Sequence, residues 1–293
     1  MKVYQKINTM YKRYMFDTKT CPNPKWNVMK NKIVIGDFSD KDCEYLFKTL
    51  WHTTSKIDGT NSKIAYYPST GEIKVGGKSD NAQSQQGQFE YLEALGNELL
   101  PKLQEMFPKE SAVFSIVKEQ KKTLFFDATG STYTPDCEGY HTVKLEEDPI
   151  YIYGEYFGSG VQKCGRRYIE NGHDFLVFDI WKQGYYLPME ELNEMCEKLG
   201  LKQVPYIGEM TLSDIEEMVM NGFTTKLEGA SDPTLVEEGI VARPVNPLLD
   251  SRGNRIITKV KTCDYIDYTN ARSQLTNEEF KEFSEWYEEH KLQ

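Results

Sequence analysis

The sequence predicts an α+β protein, in which strands and helices are mixed without strict alternation. Strand-like segments recur along the chain, and helical patterns lie between and after them. The strand-like segments are SKIAYY (62–67), IYIYGEYF (150–157), FLVFDIW (175–181), EGIVARP (238–244) and NRIITKVK (254–261). The 293 residues, 39% of them apolar, are ample for a large core, and no internal repeat or long Pro/Gly/Ser linker divides them. We therefore expect a single domain over residues 1–293.

Two helices are predicted from apolar periodicity and from the residues that begin and end them. The segment 86–107 carries apolar residues at helical spacing, and Pro101 is expected to kink the helix. The segment 188–200 begins with Pro188 and stops at Gly200, which are favoured residues at the two ends of a helix. Both apolar stripes indicate core packing and not a cofactor site.

Two further helices are predicted from capping boxes, in which a Ser or Thr is followed three residues later by Glu. Ser213 with Glu216 begins the first of them. Thr276 with Glu279 begins the C-terminal helix, 276–291. Such boxes pair amide groups that the first turn of a helix leaves without partners, so they indicate where a helix begins.

Charge is distributed unevenly along the chain. The net charge of −10 argues against a protein that coats nucleic acid indiscriminately. The basic N-terminal segment, residues 1–36, holds eight bases against the single acid Asp17, a local balance of +7. Aromatic residues are interleaved with these bases, namely Tyr4, Tyr11, Tyr14, Phe16 and Trp26. Two interpretations stay open: contacts to the phosphates and base faces of a nucleic acid, or a solvated basic face.

The cysteine pattern and the hydropathy of the chain indicate in which compartment the protein is expected. The six cysteines form no C-x-x-C pair, and with four histidines the sequence has no zinc-site spacing. No apolar run approaches the length of a membrane span, and the N-terminus lacks the apolar stretch of a signal peptide. We expect a soluble, cytoplasmic protein with free thiols.

The stretch KIDGTN (56–61) raises the question whether its residues are catalytic. If this stretch is a strand, Lys56 and Asp58 lie on one face of it, and Gly59 ends the strand. Taken by itself, this pattern is more typical of a solvated strand edge followed by a turn. Four further pieces on strand ends or turns follow it, in the order YGEYFGSGVQK (153–163), FLVFDI (175–180), EGIVARP (238–244) and ITKVK (257–261). Each piece is a weak signal, but their order and spacing form a specific pattern.

In this order the pieces resemble the covalent nucleotidyltransferase superfamily, which contains ATP-dependent DNA ligases, RNA ligases and mRNA capping enzymes. The chain most resembles the RNA ligase 2 family, the phage-type ATP-dependent RNA ligases, from Ser55 to Lys261. The resemblance implies an adenylyltransferase domain whose antiparallel sheets form a nucleotide cleft flanked by helices. Only 32 residues follow Lys261, so no separate oligonucleotide-binding barrel is expected. A phage-type enzyme implies the cytoplasm of an infected host cell.

The resemblance also implies roles for individual residues. Lys56 is the nucleophile that takes AMP from ATP, and its amine must lose a proton before it attacks. Lys259 and Lys261 lie two apart on a strand, so both ammonium groups face one side, where they repel that proton and neutralise phosphate charge. The other implied residues are Glu155 at the ribose, Phe178 on the adenine, Glu238 at Mg²⁺, and Asp58, Gly59, Asn61 and Lys78 around the nucleotide.

The chain departs from the family pattern at several positions. Ser55 stands where the family prototype has a glutamate, and Asp58 follows the superfamily where the prototype has a histidine. Lys78 replaces an arginine, and because lysine does not form the bidentate fork, recognition of the RNA end is expected to differ. The segment 86–150 is an expected insertion, with the first predicted helix and a hairpin around DATGSTYTPD.

The function that the resemblance implies is ATP- and Mg²⁺-dependent joining of a 3′-OH to a 5′-phosphate in RNA, through lysyl-AMP and an adenylylated 5′ end. The RNA is a nicked duplex or a pair of broken ends. The protein is expected as a monomer, with a partner protein as the source of a missing C-terminal domain. Alternatives are an ATP-dependent DNA ligase, a GTP-using capping guanylyltransferase and, from a different class, a non-catalytic module that binds nucleic-acid ends.

Overall fold

The computed structural model describes residues 2–78, 87–117 and 144–292. The chain divides into two compact units, each with its own five-stranded sheet. The first unit comprises Met1–Tyr4, Thr60–Tyr156 and Phe175–Gln203, and the second comprises Gln5–Gly59, Phe157–Asp174 and Val204–Gln293. That residues 1–293 form one adenylyltransferase domain with an insertion at 86–150 stays a prediction. Among the described helices, none combines the length and the apolarity needed to cross a membrane.

Strands and helices are mixed throughout the described residues, which confirms the predicted α+β class. The strands are β1 (Asn8–Thr9), β2 (Tyr11–Arg13), β3 (Ile33–Phe38), β4 (Trp51–Ser55), β5 (Thr60–Tyr67), β6 (Glu72–Gly77), β7 (Phe114–Val117), β8 (Lys144–Glu147), β9 (Ile150–Gly158), β10 (His173–Lys182), β11 (Tyr185–Tyr186), β12 (Tyr206–Met210), β13 (Gly239–Pro244) and β14 (Thr258–Lys261). The α-helices are α1 (Lys41–Tyr45), α2 (Gln88–Met106), α3 (Gly165–Tyr168), α4 (Met189–Leu199), α5 (Leu212–Asn221), α6 (Thr262–Arg272) and α7 (Asn277–His290). Short 3-10 helices span Pro24–Met29 and Lys109–Ser111.

The sheet of the second unit has the strand order β1-β14-β13-β4-β12. Its neighbouring strands are antiparallel, except that β1 lies parallel to β14. Ile240 and Ala242 of the central strand β13 are fully buried and pack in one core with Trp51, Leu212 and Val260. A slip of one residue would move these apolar side chains to the other face, so their burial holds the central strands in one register.

The sheet of the first unit has the strand order β11-β10-β9-β5-β6. β9 reads IYIYGEYFG and is buried along almost its whole length, as expected of a strand in the middle of a covered sheet. α2 packs on β6, with Leu92, Leu99 and Leu103 among its buried residues. Gly96 permits the close approach, because a Cβ at this position would lie 2.9 Å from Ile73 Cγ2.

The two helices predicted from periodicity are confirmed. α2 occupies most of the segment 86–107, with Pro101 inside it. α4 follows Pro188 and ends at Gly200. The φ of Gly200 is 77°, the left-handed conformation in which glycine commonly ends a helix.

α7 confirms the predicted C-terminal helix, and it forms an aromatic core with the basic N-terminal segment. Thr276 and Glu279 make the predicted capping box. Phe283 and Tyr287 pack against rings of the N-terminal segment at centroid distances of 4.8 to 6.3 Å. All five interleaved aromatic residues of that segment are 0% to 6% exposed. The interpretation that they contact base faces is therefore wrong, because their rings are already buried in packing with other parts of the chain.

The predicted start of α5 is wrong by two residues. Thr211 caps the helix: its hydroxyl accepts from Asp214 N–H, and the Asp214 carboxylate accepts from Thr211 N–H, each at 3.1 Å. Ser213, the predicted cap with Glu216, lies inside the first turn. Both pairs have the spacing of a capping box, and the burial of Leu212 in the core favours the earlier one.

The C-terminal part of the chain forms two helices where the sequence predicted one. α6 begins at Thr262, directly after β14, and α7 follows it. The apolar pattern of α6 is weak, since it buries Tyr265 and Ala271 together with the carboxylate-bearing Asp264. The strand predicted from NRIITKVK is shorter than expected and begins at Thr258. The hairpin predicted around DATGSTYTPD lies outside the described residues.

Gly239 is required by the close approach of β13 to β14. Its φ is +154°, and a Cβ at this position would lie 2.1 Å from Val260 O. We expect Gly239→Ala to lower the free energy of unfolding by about 2 to 3 kcal/mol, because the contact is with backbone that has no rotamer to change. The matched control is Gly208→Ala, since Gly208 has a φ of +149° and open space around its Cβ. It is expected to lose about 1 kcal/mol, and equal losses in urea denaturation of both variants would contradict the packing argument.

The corrected cap of α5 is tested by two substitutions in the same turn. Thr211→Ala is expected to lower the free energy of unfolding by about 1 kcal/mol, because an amide at the helix start loses its acceptor. Ser213→Ala is expected to change it by less than about 0.5 kcal/mol. Thermal denaturation of both variants measures the difference, and a larger loss in Ser213→Ala would restore the cap that the sequence predicted.

Candidate active site

Lys56 follows the last residue of β4 and is held by neighbouring backbone. Its N–H donates to Gly239 O at 2.9 Å, and the next residue, Ile57, is 2% exposed and anchors the turn in the core. The Lys56 ammonium group donates to Glu238 Oε2 at 2.6 Å. The predicted nucleophile is therefore fixed at the end of a central strand.

Glu238 accepts hydrogen bonds from two of the predicted lysines. Its Oε2 faces Lys56, and its Oε1 accepts from Lys261 Nζ at 2.8 Å. The three side chains are 17% to 27% exposed, so water only partly screens their charges. Burial lowers the pKa of Lys261. The hydrogen bond and negative charge of Glu238, together with Cys263 and Asp264, outweigh this effect, so the net pKa is raised above its ordinary value. Lys261 therefore stays an ammonium group at neutral pH.

The register of three adjacent strands explains why these residues meet. Gly239 of β13 pairs with Lys261 of β14, and Ile240 pairs with Ser55 of β4. β13 thus begins where its two antiparallel neighbours end. Residues at the three strand ends lie side by side although the chain places them far apart.

The lysines of β14 follow the predicted alternation. Thr258 and Val260 are 1% and 2% exposed, whereas Lys259 and Lys261 are half-buried on the other face of the strand. The expectation that the two ammonium groups face one side is confirmed.

Asp58 and Gly59 lie in the turn after β4, beside the stretch GSGVQK (158–163). The pKa of Asp58 is raised, first by burial and then by the charge of Glu238, while the two neighbouring lysines oppose the shift. The Asp58 N–H donates to the Tyr168 hydroxyl at 3.3 Å, and Gly59 O accepts from Gln162 Nε2 at 3.2 Å. The stretches KIDGTN and GSGVQK, separate in sequence, thus contact each other.

Asn61 and Glu155 lie opposite each other on β5 and β9 in the first unit. Residues paired in this way have Cβ atoms about 5 Å apart, so the two side chains reach the same small region. Asn61 Oδ1 is buried and accepts no hydrogen bond within the described part of the chain. Since such an oxygen costs about 1 to 3 kcal/mol, it is a candidate contact for a bound polar ligand.

Phe178 lies on β10, half-buried, with its ring edge-on to that of Tyr4 at a centroid distance of 5.0 Å. The adjacent Asp179 is fully buried and accepts a hydrogen bond from the Tyr4 hydroxyl. Tyr4 therefore contacts the residue expected at the adenine and also pairs a buried carboxylate. No motif in the sequence signals Tyr4, since it lies 175 positions before Asp179.

The predicted site residues fall into two sets. The second unit holds Lys56, Asp58, Gly59, Glu238, Lys259 and Lys261, and the first unit holds Asn61, Lys78, Glu155 and Phe178. Lys56, Glu238 and Lys261 are joined by hydrogen bonds, and Asn61 is a cross-strand neighbour of Glu155. Lys78 follows β6 and is exposed, without a hydrogen bond or ion pair to any described residue.

Glu238 and Asp58 are the carboxylates that this site offers to a divalent cation. Within the described residues, no group of three or more His, Cys, Asp or Glu side chains is arranged to hold a metal. Mg²⁺ usually takes only one or two protein carboxylates and completes its shell with water and substrate phosphates. Two carboxylates close enough to raise the pKa of one of them fit a cation of this kind.

Comparison with known proteins gives one family. A model of the RNA ligase family matches residues 49–261. No match was found among curated protein sequences. Among solved structures, a mutant RNA ligase from Naegleria gruberi with ATP and Mn aligns with a TM-score of 0.50 at 15% identity, over 92% of this chain and 64% of that one. An apo mutant of the same ligase aligns with a TM-score of 0.49 at 15% identity, over 78% of this chain and 54% of that one. The chain thus spans 54% to 64% of these two structures, and at this identity the likeness shows the fold alone.

The contact between Tyr4 and Asp179 is tested by removing a single oxygen. Tyr4→Phe is expected to lower the free energy of unfolding by about 1 to 3 kcal/mol, because a fully buried carboxylate loses a donor while the ring packing is kept. Tyr45→Phe is the control, since Tyr45 is 83% exposed and its hydroxyl is solvated. If urea denaturation gives the same free energy for both variants, the hydroxyl of Tyr4 does not stabilise the first unit.

Proposed function

The chain belongs to the RNA ligase family, and from this premise we propose that it is an ATP-dependent RNA ligase. The proposed reaction joins a 3′-OH to a 5′-phosphate of RNA in three steps. AMP is transferred from ATP to Lys56, then from Lys56 to the 5′-phosphate, and the 3′-OH finally attacks the adenylylated end and releases AMP. A nicked duplex or a pair of broken ends is the proposed substrate.

One observation carries this proposal, namely the hydrogen bond of 2.6 Å between Lys56 Nζ and Glu238 Oε2. In the first step the Lys56 nitrogen forms a bond to the α-phosphorus of ATP, while the bond from that phosphorus to the bridging oxygen breaks and pyrophosphate leaves. Only the neutral amine has a lone pair for this attack, so a proton must leave Nζ. Glu238 Oε2 lies at hydrogen-bond distance and is the acceptor that we assign to this proton.

Lys261 and Lys259 stabilise the negative charge that develops on the phosphate. Lys261 stays charged at neutral pH because Glu238 raises its pKa. Its Nζ lies 2.8 Å from the second oxygen of the carboxylate that holds the nucleophile, which brings a fixed positive charge next to the reacting group. A cation held in place by the fold loses little energy to reorganisation when the transition state forms.

The residues of the first unit are proposed to bind the nucleoside part of ATP. Glu155 binds the ribose hydroxyls, Phe178 stacks on the adenine, and Asn61 donates or accepts at a phosphate or a bound water. The buried, unpaired Oδ1 of Asn61 supports a polar ligand at this point. Asp58 and Lys78 complete the proposed nucleotide contacts, with Gly59 as the turn that permits close approach.

Mg²⁺ is the proposed metal, held by Glu238 with substrate phosphates and water. When it is bound, it neutralises phosphate charge. The chain's own part is to present the carboxylates of Glu238 and Asp58, whose repulsion a cation relieves. A monomeric state is also part of the proposal.

The first test is the covalent adduct. The purified protein, shown to be free of bound AMP, is incubated with Mg²⁺ and ATP, and its intact mass is measured. We expect an AMP adduct in the unsubstituted protein and none in Lys56→Arg. Arginine keeps a cation beside Glu238 but is not deprotonated in proteins, so it preserves the ion pair without supplying a nucleophile.

The same variant separates the steps of the reaction. Lys56→Arg is expected to retain sealing of an RNA that is already adenylylated, because that step needs no new adduct. An AMP adduct in Lys56→Arg would contradict the assignment of the nucleophile. A GMP adduct with GTP, in place of an AMP adduct, would indicate a capping guanylyltransferase, and no adduct with either nucleotide would favour a non-catalytic module.

A further inference from the structure

A basic pocket lies in the second unit and is bordered by Lys261, which donates a hydrogen bond to Glu238. It has a volume of about 590 Å³ and is lined by residues of the segment 6–13, of β14 and of the start of α6. Five of its lining residues are basic and one is acidic, namely Lys6, Lys12, Arg13, Lys259, Lys261 and Asp264. Lys261 borders the pocket and also holds Glu238, so a ligand in the pocket lies beside the proposed catalytic carboxylate.

A second pocket adjoins the first along β1. It has a volume of about 240 Å³ and shares Lys6, Asn8 and Thr9 with the first pocket. Arg252 and Arg255 add two more basic residues to its lining, which also contains the acids Asp40 and Asp250. Basic side chains therefore follow β1 on both of its flanks, which makes an extended surface and not a single small cavity.

Ion pairs neutralise some of the basic residues that line the two pockets, but not all of them. Arg13 pairs with Asp264 at 2.7 Å, and Lys12 pairs with Asp37 at 2.5 Å. In the second pocket, Arg252 pairs with Asp250 at 3.3 Å. Lys6 is exposed, and within the described part of the chain no acid lies at ion-pair distance from it. Lys6 is also one of the three residues that line both pockets. A positive charge thus stays available at the point where the two pockets meet, in a protein whose net charge is −10.

The start of α6 adds to the positive potential of the first pocket. α6 is 11 residues long and begins at Thr262, directly after Lys261, with no side-chain cap. Cys263 and Asp264 of its first turn line the pocket. The amide groups at a helix N-terminus carry partial positive charge, and they favour an anion there.

We propose that the two pockets together bind consecutive backbone phosphates of the RNA strand that is sealed, with Lys6 between them. This inference rests on the proposed function, since it names the surface that presents RNA to Lys56. Two adjoining sites suit a polymer with regularly spaced phosphates, whereas the phosphates of one nucleotide need only a single site. The aromatic residues of the N-terminal segment are buried, so the contact is with the phosphates and does not distinguish base sequence.

The experiment compares two lysines of the same basic segment. Lys6→Gln removes the charge between the pockets, and Lys19→Gln removes an exposed charge that lines neither pocket. Binding of a fluorescent RNA oligonucleotide is measured by anisotropy over a series of salt concentrations. Lys6→Gln is expected to raise the dissociation constant about 3- to 10-fold at low salt, as removal of one charge-assisted hydrogen bond does. The slope of log K against log salt is expected to become shallower by about 0.7 for each phosphate that the protein no longer neutralises.

The outcomes separate this inference from the proposed function. Lys19→Gln is expected to match the unsubstituted protein, and an equal effect of both substitutions would overturn the proposal in favour of a diffuse basic face. The proposal is also overturned if Lys6→Gln leaves RNA binding unchanged but raises the ATP concentration needed for half-maximal AMP adduct, because the pockets would then serve the triphosphate. Absence of any adduct in the unsubstituted protein would refute the ligase function, and the comparison of RNA binding would still decide the role of the pockets.

Discussion

The carboxylate of Glu238, shared by the ammonium groups of Lys56 and Lys261, is the interaction on which the arrangement of the site depends. Two cations brought this close repel each other, and partial burial weakens the screening by water. The carboxylate between them offsets that repulsion and satisfies donors on both sides. Because the three residues stand at the ends of three adjacent strands, the same contact ties β4, β13 and β14 together. Gly239 is the residue that allows β13 to come close enough, since no side chain fits between it and Val260 O.

The shared carboxylate also has a chemical consequence. In the resting protein it accepts a hydrogen bond from Lys56 Nζ, which keeps the proposed nucleophile in a fixed position. A phosphate substrate competes for the same positive charges, and the proton then has an acceptor 2.6 Å away. Lys261 keeps its charge throughout, because burial lowers its pKa less than Glu238, Cys263 and Asp264 together raise it. One lysine therefore changes its protonation state in the proposed reaction while the other supplies a constant charge.

The N-terminal segment serves both units by means of different side chains. In the first unit, Lys63 is fully buried and donates to Lys2 O at 3.0 Å, and the Lys2 ammonium group lies 3.9 Å from the ring centroid of Trp181. A buried ammonium group is tolerated only with a hydrogen-bond partner, and the backbone carbonyl of the exposed residue Lys2 supplies one to Lys63. In the second unit, aromatic residues of the segment pack in the core while its lysines remain at the surface. The alternation of aromatic and basic residues thus reflects a segment with one buried side and one exposed side. The exposed side of the segment borders the two basic pockets.

The sequence by itself determined the features that depend on residues close together in the chain. The alternation of Lys259 and Lys261 with buried neighbours, the cap of α7 and the end of α4 at Gly200 are of this kind, and so is the order of the motifs that indicated the family. Only the tertiary structure decided which of two overlapping capping boxes begins α5, because the burial of Leu212 selects it. It alone decided that the N-terminal aromatic rings are core, that Tyr4 contacts both Phe178 and Asp179, and that one carboxylate accepts hydrogen bonds from two lysines. These contacts join residues far apart in the chain, and they depend on strand order and register, which local periodicity does not encode.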